Sequence, residues 1–497
     1  MPENNKEYFS NNVPFVNVHC HFMNQTHISD DYTKFLIKNN IPDIVRLFIG
    51  IDINTDSEQD ILNHLQKSKL VGSAKPQAAK WARSIDASDF WHENGTLGNY
   101  MDFNEYLSHS DKNNLKDSDI NLLKNNTYSI ITPLMMDMLY ATKNIVGANN
   151  PSFGNIVGIT PYILQLTEYS YIAAKYPWRI FPFVAFSPKR PESLEICKKA
   201  VNEMGFIGIK MYPAHGYSPD PFGNLIDNGI EKIEFKDLPE DMRTIKSIIN
   251  NYIGIPDQEI ILERFFKPEA IRLIKFFIWA NEMSLPITSH CQYISMQNLA
   301  YDYDHTVLYN APNNWKEILK TFPNIRVNFA HFGGDGFAKI KTTNAREEQD
   351  KIYADNFRNI ILELFNEHNA IKPRIFADLS AHSIVKKGSK EDKAYYLSVI
   401  KSLIKSHPDS LMFGTDTPAI TMDMTDAEYK TLFFEMFPPD QNQNLYSYNA
   451  LKFLFGENIE IPAHYLAFLQ KICNDGLIRM PKNPFNEFPN WAKPLKV

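Results

Sequence analysis

Eight short apolar runs punctuate the 497-residue chain: VPFVNVHCHF (13–22), YSIITPLMM (128–136), RIFPFVAF (179–186), GFIGIKMY (205–212), LPITSHC (285–291), IRVNFAHF (325–332), RIFADLS (374–380) and SLMFGTD (410–416). Their apolar positions are continuous rather than alternating, which predicts parallel strands buried on both faces. Helical stripes fall between them. Ile271, Ile274, Phe277 and Ile278 predict a helix over 268–283. Phe357, Ile360, Ile361, Leu364 and Phe365 predict another over 355–368, and Tyr395, Leu397, Ile400, Leu403 and Ile404 a third over 391–405. Strand and helix in alternation mean an α/β fold with a parallel sheet. Eight strands fit a closed (β/α)8 TIM barrel; periodicity alone also admits an open doubly wound sheet.

The spacing is uneven. Segments 23–127 and 213–284 are far longer than ordinary crossovers. Both follow the C-terminal ends of strands, strands 1 and 4, where barrel active sites are built. They predict large helical insertions that cap the mouth of a single domain spanning 1–497. Within the first, SKLVGSAKPQAAKWARSI has helical character and DASDFWHENGTLGNYMDF reads as an aromatic-rich loop. The chain is 44% hydrophobic and 22% charged, as a globular protein is, with a net charge of −7 and no basic run. That argues against nucleic acid or an anionic membrane as partner. Four scattered cysteines form no CxxC pair, and neither a signal peptide nor a membrane span is read. A cytoplasmic location is expected.

The strand ends carry the chemistry. The first closes on His19-Cys20-His21, and strand alternation turns both imidazoles to one side. Two imidazoles so spaced chelate one metal ion. Lys210 lies in GFIGIKMYP, His290 in LPITSHC, His331 in VNFAHFGG and Asp416 in LMFGTDTP. In a parallel barrel these five ends converge on one face. There is no phosphate loop, no GxGxxG after a strand, no GxSxG elbow and no HExxH helix.

This order of strand ends resembles the amidohydrolase superfamily, closest to its amidohydrolase-2 (amidohydrolase-related) branch. SYNALKFL (447–454) resembles the Asn-Ala segment after that branch's last strand. The resemblance implies a metal-dependent TIM-barrel hydrolase. His19, His21 and Asp416 would hold the first metal. With one metal, His290 is a further ligand and His331 binds substrate or activated water. With two, a carboxylated Lys210 bridges them and His290 and His331 hold the second. Zinc is the default for so many histidines, with manganese or iron as alternatives.

The implied reaction is attack of metal-activated water on an amide, ester or lactone bond of a small molecule, with Asp416 and His331 as catalytic residues. The alternatives are non-oxidative decarboxylation or hydration of a carboxylate substrate, and a non-catalytic metal-binding barrel. Tyr212, His215, His382 and Arg190 are candidate substrate contacts. Arg190 and, in the first insertion, Arg83 are the candidate carboxylate binders. Asp378 is read as structural, and Asp137 as a support or a turn residue. A homodimer is the default assembly.

Overall fold

The computed structural model describes residues 13–21, 130–137, 176–226, 233–293, 303–369, 373–417, 419–475, 484–487 and 489–492, with parts of 162–174. The first insertion, 23–127, and with it Arg83, lies outside the described residues.

All eight apolar runs contain a strand. They are β1 (Val16–Cys20), β2 (Ile130–Pro133), β3 (Phe183–Phe186), β4 (Gly208–Met211), β5 (Pro286–Gln292), β6 (Arg326–Gly333), β7 (Ile375–Asp378) and β8 (Leu411–Met412). Every ladder is parallel: β1 pairs with β2, and β3 to β8 follow one another in chain order. Single bridges join the two sets. Ile131 meets Ile180, Leu134 meets Phe183, and Cys20 meets Thr417 just past β8. The Val18 N–H also donates to the Phe413 carbonyl at 3.2 Å. The ring therefore closes, and the open-sheet alternative is removed. Closure explains the continuous apolar runs, since each strand is covered by the barrel interior on one face and by helices on the other.

The end of the barrel where the strands begin is sealed by aromatic packing and one arginine. Phe453, on the helix Asn449–Phe455, lies 5.8 Å from Phe183 and 5.6 Å from Phe376 between ring centroids. A Cβ on Gly208 would come within 2.5 Å of the Phe183 ring, so only glycine fits there. Arg326, at the start of β6, is buried and donates to the carbonyls of Phe453 (2.6 Å) and Leu454 (3.1 Å). These are carbonyls at the end of a helix, which have no partner within it.

Two helices match their apolar stripes, Pro268–Glu282 and Lys390–Ser406. The third, Ala345–His368, begins ten residues before its stripe. Its first turns, AREEQDK, are polar and are set by the cap instead: Asn344 Oδ1 accepts the Glu347 N–H at 2.9 Å. The insertion after β4 is built of short helical turns and the helices Ile245–Asn251 and Pro256–Leu262. It leaves and returns at one point, where Leu225 bridges Phe266 and the Lys267 N–H donates to the Asn224 carbonyl at 3.0 Å. Pro268–Glu282 then forms the crossover helix before β5, so the excursion is shorter than 213–284. Among the described residues no helix is long and apolar enough to cross a membrane.

Arg326→Leu strips the charged donor from two buried carbonyls. The expected loss is about 2–3 kcal/mol, read as a lower urea midpoint with unchanged m-value.

Candidate metal centre and active site

The five strand ends do meet. His19 Nε2 and His21 Nε2 lie 3.3 and 3.2 Å from the same oxygen, Asp416 Oδ1. These three ligand atoms all fall within 4.8 Å of one another, a spacing that suits one ion. His19 is fully buried, and its Nε2 makes no hydrogen bond among the described residues. A buried bare nitrogen aimed at a carboxylate and a second imidazole fits a divalent cation. Asp416 is the most open of the three, its side chain 13% exposed, which leaves this group reachable from the barrel mouth. Cys20 points the other way, its thiol 3.7 Å from the Thr132 carbonyl, as strand alternation requires.

The far side of each imidazole is fixed. His21 Nδ1 donates to the Leu134 carbonyl at 2.7 Å. His19 Nδ1 lies 3.1 Å from Asp378 Oδ2. Asp378 is fully buried and also accepts from Asn328 Nδ2 (2.7 Å), the His331 N–H (3.1 Å), the Ser380 N–H (3.1 Å) and the Ser380 hydroxyl. Burial alone would raise its pKa, but His19 and these donors outweigh it and hold the carboxyl well below the usual range. An ionised carboxylate only accepts. The Ser380 hydrogen is therefore spent on Asp378, and Ser380 Oγ accepts from its other neighbours, His19 Nδ1 at 3.0 Å and His331 Nδ1 at 2.9 Å.

The tautomers follow in a chain. His331 carries its hydrogen on Nδ1, so its Nε2 is a lone pair. That lone pair accepts from His290 Nδ1 at 3.1 Å, which puts the acceptor lone pair of His290 on Nε2. One buried carboxylate thus sets the direction of His19, His331 and His290. Such outer partners fix ligand orientation and strengthen metal binding. Sequence reading calls Asp378 structural, and the structure shows what that consists of. It stands at the end of a buried strand, the same signal that marks Asp416; Ser380 and Asn328 carry no comparable signal.

His331 (φ 65°) and Asp416 (φ 60°) both adopt the left-handed conformation, uncommon for residues with a side chain. His331 is held by its N–H to Asp378 and by its carbonyl, which accepts from the Gly334 N–H (2.7 Å) and His382 Nε2 (2.9 Å). Gly333 and Gly334 continue the turn at φ 82° and 93°. Asp416 is held by its N–H to the His19 carbonyl at 2.7 Å.

Four expectations change. His382 does not face substrate: it is fully buried, Nε2 serves the His331 carbonyl and Nδ1 accepts from Tyr396 Oη at 2.8 Å. Arg190 is not open to a substrate carboxylate. It makes two 2.9 Å bonds to Asp137 and stacks 4.5 Å above the Tyr162 ring. His290 joins neither described cluster of metal-competent groups, one formed by His19, His21 and Asp416 and the other by His19, His331 and Asp378. The second of these clusters is the orienting network above, with His19 bonded to Asp378 and the His331 imidazole joined to them through Ser380. Lys210 Nζ is buried with no hydrogen-bond partner among the described residues, and burial lowers its pKa to about 8. The described residues give Lys210 no hydrogen bond to His290 or His331, and a two-ion bridge there would require its carboxylation. Tyr212 stacks on His290 at 4.4 Å and lies 4.7 Å from His215, forming one aromatic wall.

Burial lowers the pKa of His215 to about 4 and that of His331 to about 3. Both fall below the unfolded value, about 6.5, so below that pH the unfolded chain binds the extra protons. Their contribution to stability is complete above about 6.5 and is lost as pH falls toward their folded values. Urea unfolding of the metal-free protein should show a midpoint falling from pH 6.5 to 4. Asp378→Asn, which loses the charge that orients His19, should weaken metal binding about 10- to 100-fold in competition with a chromophoric chelator.

The amidohydrolase family model matches residues 164–456, from before β3 to the helix after β8. The match begins after β1, so the place of His19 and His21 rests on the geometry above. No curated protein sequence matches the chain. Among solved structures it is similar to a 2,6-dihydroxybenzoate decarboxylase from Rhizobium, at 14% identity and TM-score 0.38, over 70% of this chain and 88% of that one. A 5-carboxyvanillate decarboxylase from Sphingomonas paucimobilis is similar at 11% identity and TM-score 0.40, over 89% and 99%. A probable 2-pyrone-4,6-dicarboxylic acid hydrolase from Acinetobacter baumannii is similar at 13% identity and TM-score 0.36, over 68% and 88%. With more than half of its length matched by the family model, and with His19, His21 and Asp416 brought together from β1 and the end of β8, the chain belongs to the amidohydrolase family.

Proposed function

We propose that this protein is a metal-dependent hydrolase of a small molecule, acting on an amide, ester or lactone bond with one divalent ion, zinc by default, held by His19, His21 and Asp416. The observation that carries the reading is the convergence of the Nε2 atoms of His19 and His21 on Asp416 Oδ1, each imidazole pinned from behind. A divalent cation held there supplies Lewis acidity and lowers the pKa of water from 15.7 to about 7.

The chain's own groups supply the rest. Burial favours the protonated form of Asp416, but His19 and His21 beside it outweigh this and keep its carboxylate ionised. It can therefore take a proton from attacking water and return it to the leaving group. His331, neutral through burial, offers a lone pair on Nε2 once the His290 N–H gives way to a substrate or water hydrogen. The Tyr212–His290 stack walls the site toward β4 and β5.

A second reading, non-oxidative decarboxylation or hydration of a carboxylate substrate, is favoured by one observation. Lys210 places in the site an amine that has no hydrogen-bond partner among the described residues. The two readings separate in labelled water. Turnover of an amide, ester or lactone panel should place water oxygen in the acid product, whereas release of carbon dioxide from carboxylate substrates would replace the hydrolase reading. Asp416→Asn should lower turnover about 100- to 10,000-fold, and a chelator should abolish it. Full activity in the variant would rule out Asp416 as the proton carrier.

A further inference from the structure

We propose that Asn17, Thr415, Thr417 and Asp426 form a positioning network that presents Asp416 to the metal, tying the backbone of this ligand to that of His19 and His21. This rests on the metal-dependent reading above and names what fixes the third ligand of that site.

Among the described residues the Asp416 carboxylate meets His19 and His21. No group stands behind it as Asp378 stands behind His19 and the Leu134 carbonyl behind His21. Its direction is set by its backbone instead, which is left-handed at φ 60°. Residues with a side chain hold that conformation where surrounding bonds over-determine it.

Those bonds come from both neighbours. Thr415 and Thr417 flank Asp416, and both are buried. Asp426, at the start of the helix Asp426–Met436, accepts the Thr417 hydroxyl hydrogen at 2.7 Å. With that hydrogen spent, Thr417 Oγ1 accepts from Thr415 Oγ1, 3.0 Å away. Thr415 Oγ1 in turn accepts from Asn17 Nδ2 at 2.9 Å and from the Thr417 N–H at 3.3 Å. Its one hydrogen and both lone pairs are then used. Asn17 Oδ1 accepts from the His19 N–H and the Thr415 N–H, each at 3.2 Å. One amide thus grips β1 and the end of β8 together. Two backbone bonds complete the link: the Asp416 N–H donates to the His19 carbonyl at 2.7 Å, and the His21 N–H to the Thr417 carbonyl at 2.6 Å. Thr415→Val keeps the shape of the residue but takes the shared oxygen from the Asn17 amide and the Thr417 N–H, which is costly where both are buried. The turn can then relax and carry the Asp416 carboxylate away from the imidazoles.

The test is titration of cobalt(II) into metal-free wild-type protein, Thr415→Val and Thr415→Ser, followed by the visible absorption of the bound ion. Thr415→Val should bind about 10- to 100-fold more weakly, with shifted bands. Thr415→Ser keeps the hydroxyl and should restore wild-type affinity and bands. A role confined to stability would lower the urea midpoint of Thr415→Val and leave its cobalt affinity and bands unaltered; that result would overturn the proposal. So would equal weakening in the two variants, since the hydroxyl would then not be the cause. If Thr415→Val does not fold, Thr417→Val breaks the network at its Asp426 end and is compared with Thr417→Ser in the same titration. Wild-type protein that takes up no cobalt would remove the metal centre and this proposal with it. Binding is read without turnover, so a failure of the hydrolase reading alone leaves the result legible.

Discussion

Everything at the mouth of this barrel depends on one buried carboxylate that can only accept. Asp378 gathers donors from β1, β6 and its own turn. Because it is ionised, each hydrogen bond around it has a forced direction. The direction passes through Ser380 to His331 and on to His290. The site's geometry and its protonation pattern are thus one property. A neutral amide at 378 would preserve the shape and lose the polarity, because an amide can both donate and accept.

The same carboxylate supports the strained backbone. His331 and Asp416 are bent into a conformation that side-chain-bearing residues avoid, and both carry functional groups. Such strain persists where surrounding bonds over-determine it. At His331 both backbone polar groups are held, by Asp378 on one side and by His382 and Gly334 on the other. His382, expected at the substrate, instead does its work one layer behind, through a carbonyl. At Asp416 the clamp is the His19 carbonyl, so the strand bearing two of the candidate ligands also sets the third.

The fold was largely legible from the chain because burial on both faces writes parallel strands as unbroken apolar runs, and all eight are strands. Helix Ala345–His368 was half legible: its second half faces the core and shows a stripe, while its first half is polar and stands on a cap. In the site, His19, His21 and Asp416 were marked by their place at strand ends. The error over Arg190 has a simple cause. A sequence shows that a charge is present but not whether Asp137 has already taken it. Ser380 and the Leu134 carbonyl were invisible for a related reason, since one is a common turn residue and the other is backbone.

The excursion after β4 departs and returns through one neck, where Leu225 bridges Phe266 and the Lys267 N–H meets the Asn224 carbonyl. A segment tied off at its neck can lengthen, shorten or be exchanged without altering the register of β4 against β5, because the chain re-enters the barrel where it left. Lys210 and His290 sit on the two strands that flank this neck. The surroundings of those two side chains can therefore change while their spacing stays constant, a division between a fixed chassis and an interchangeable attachment.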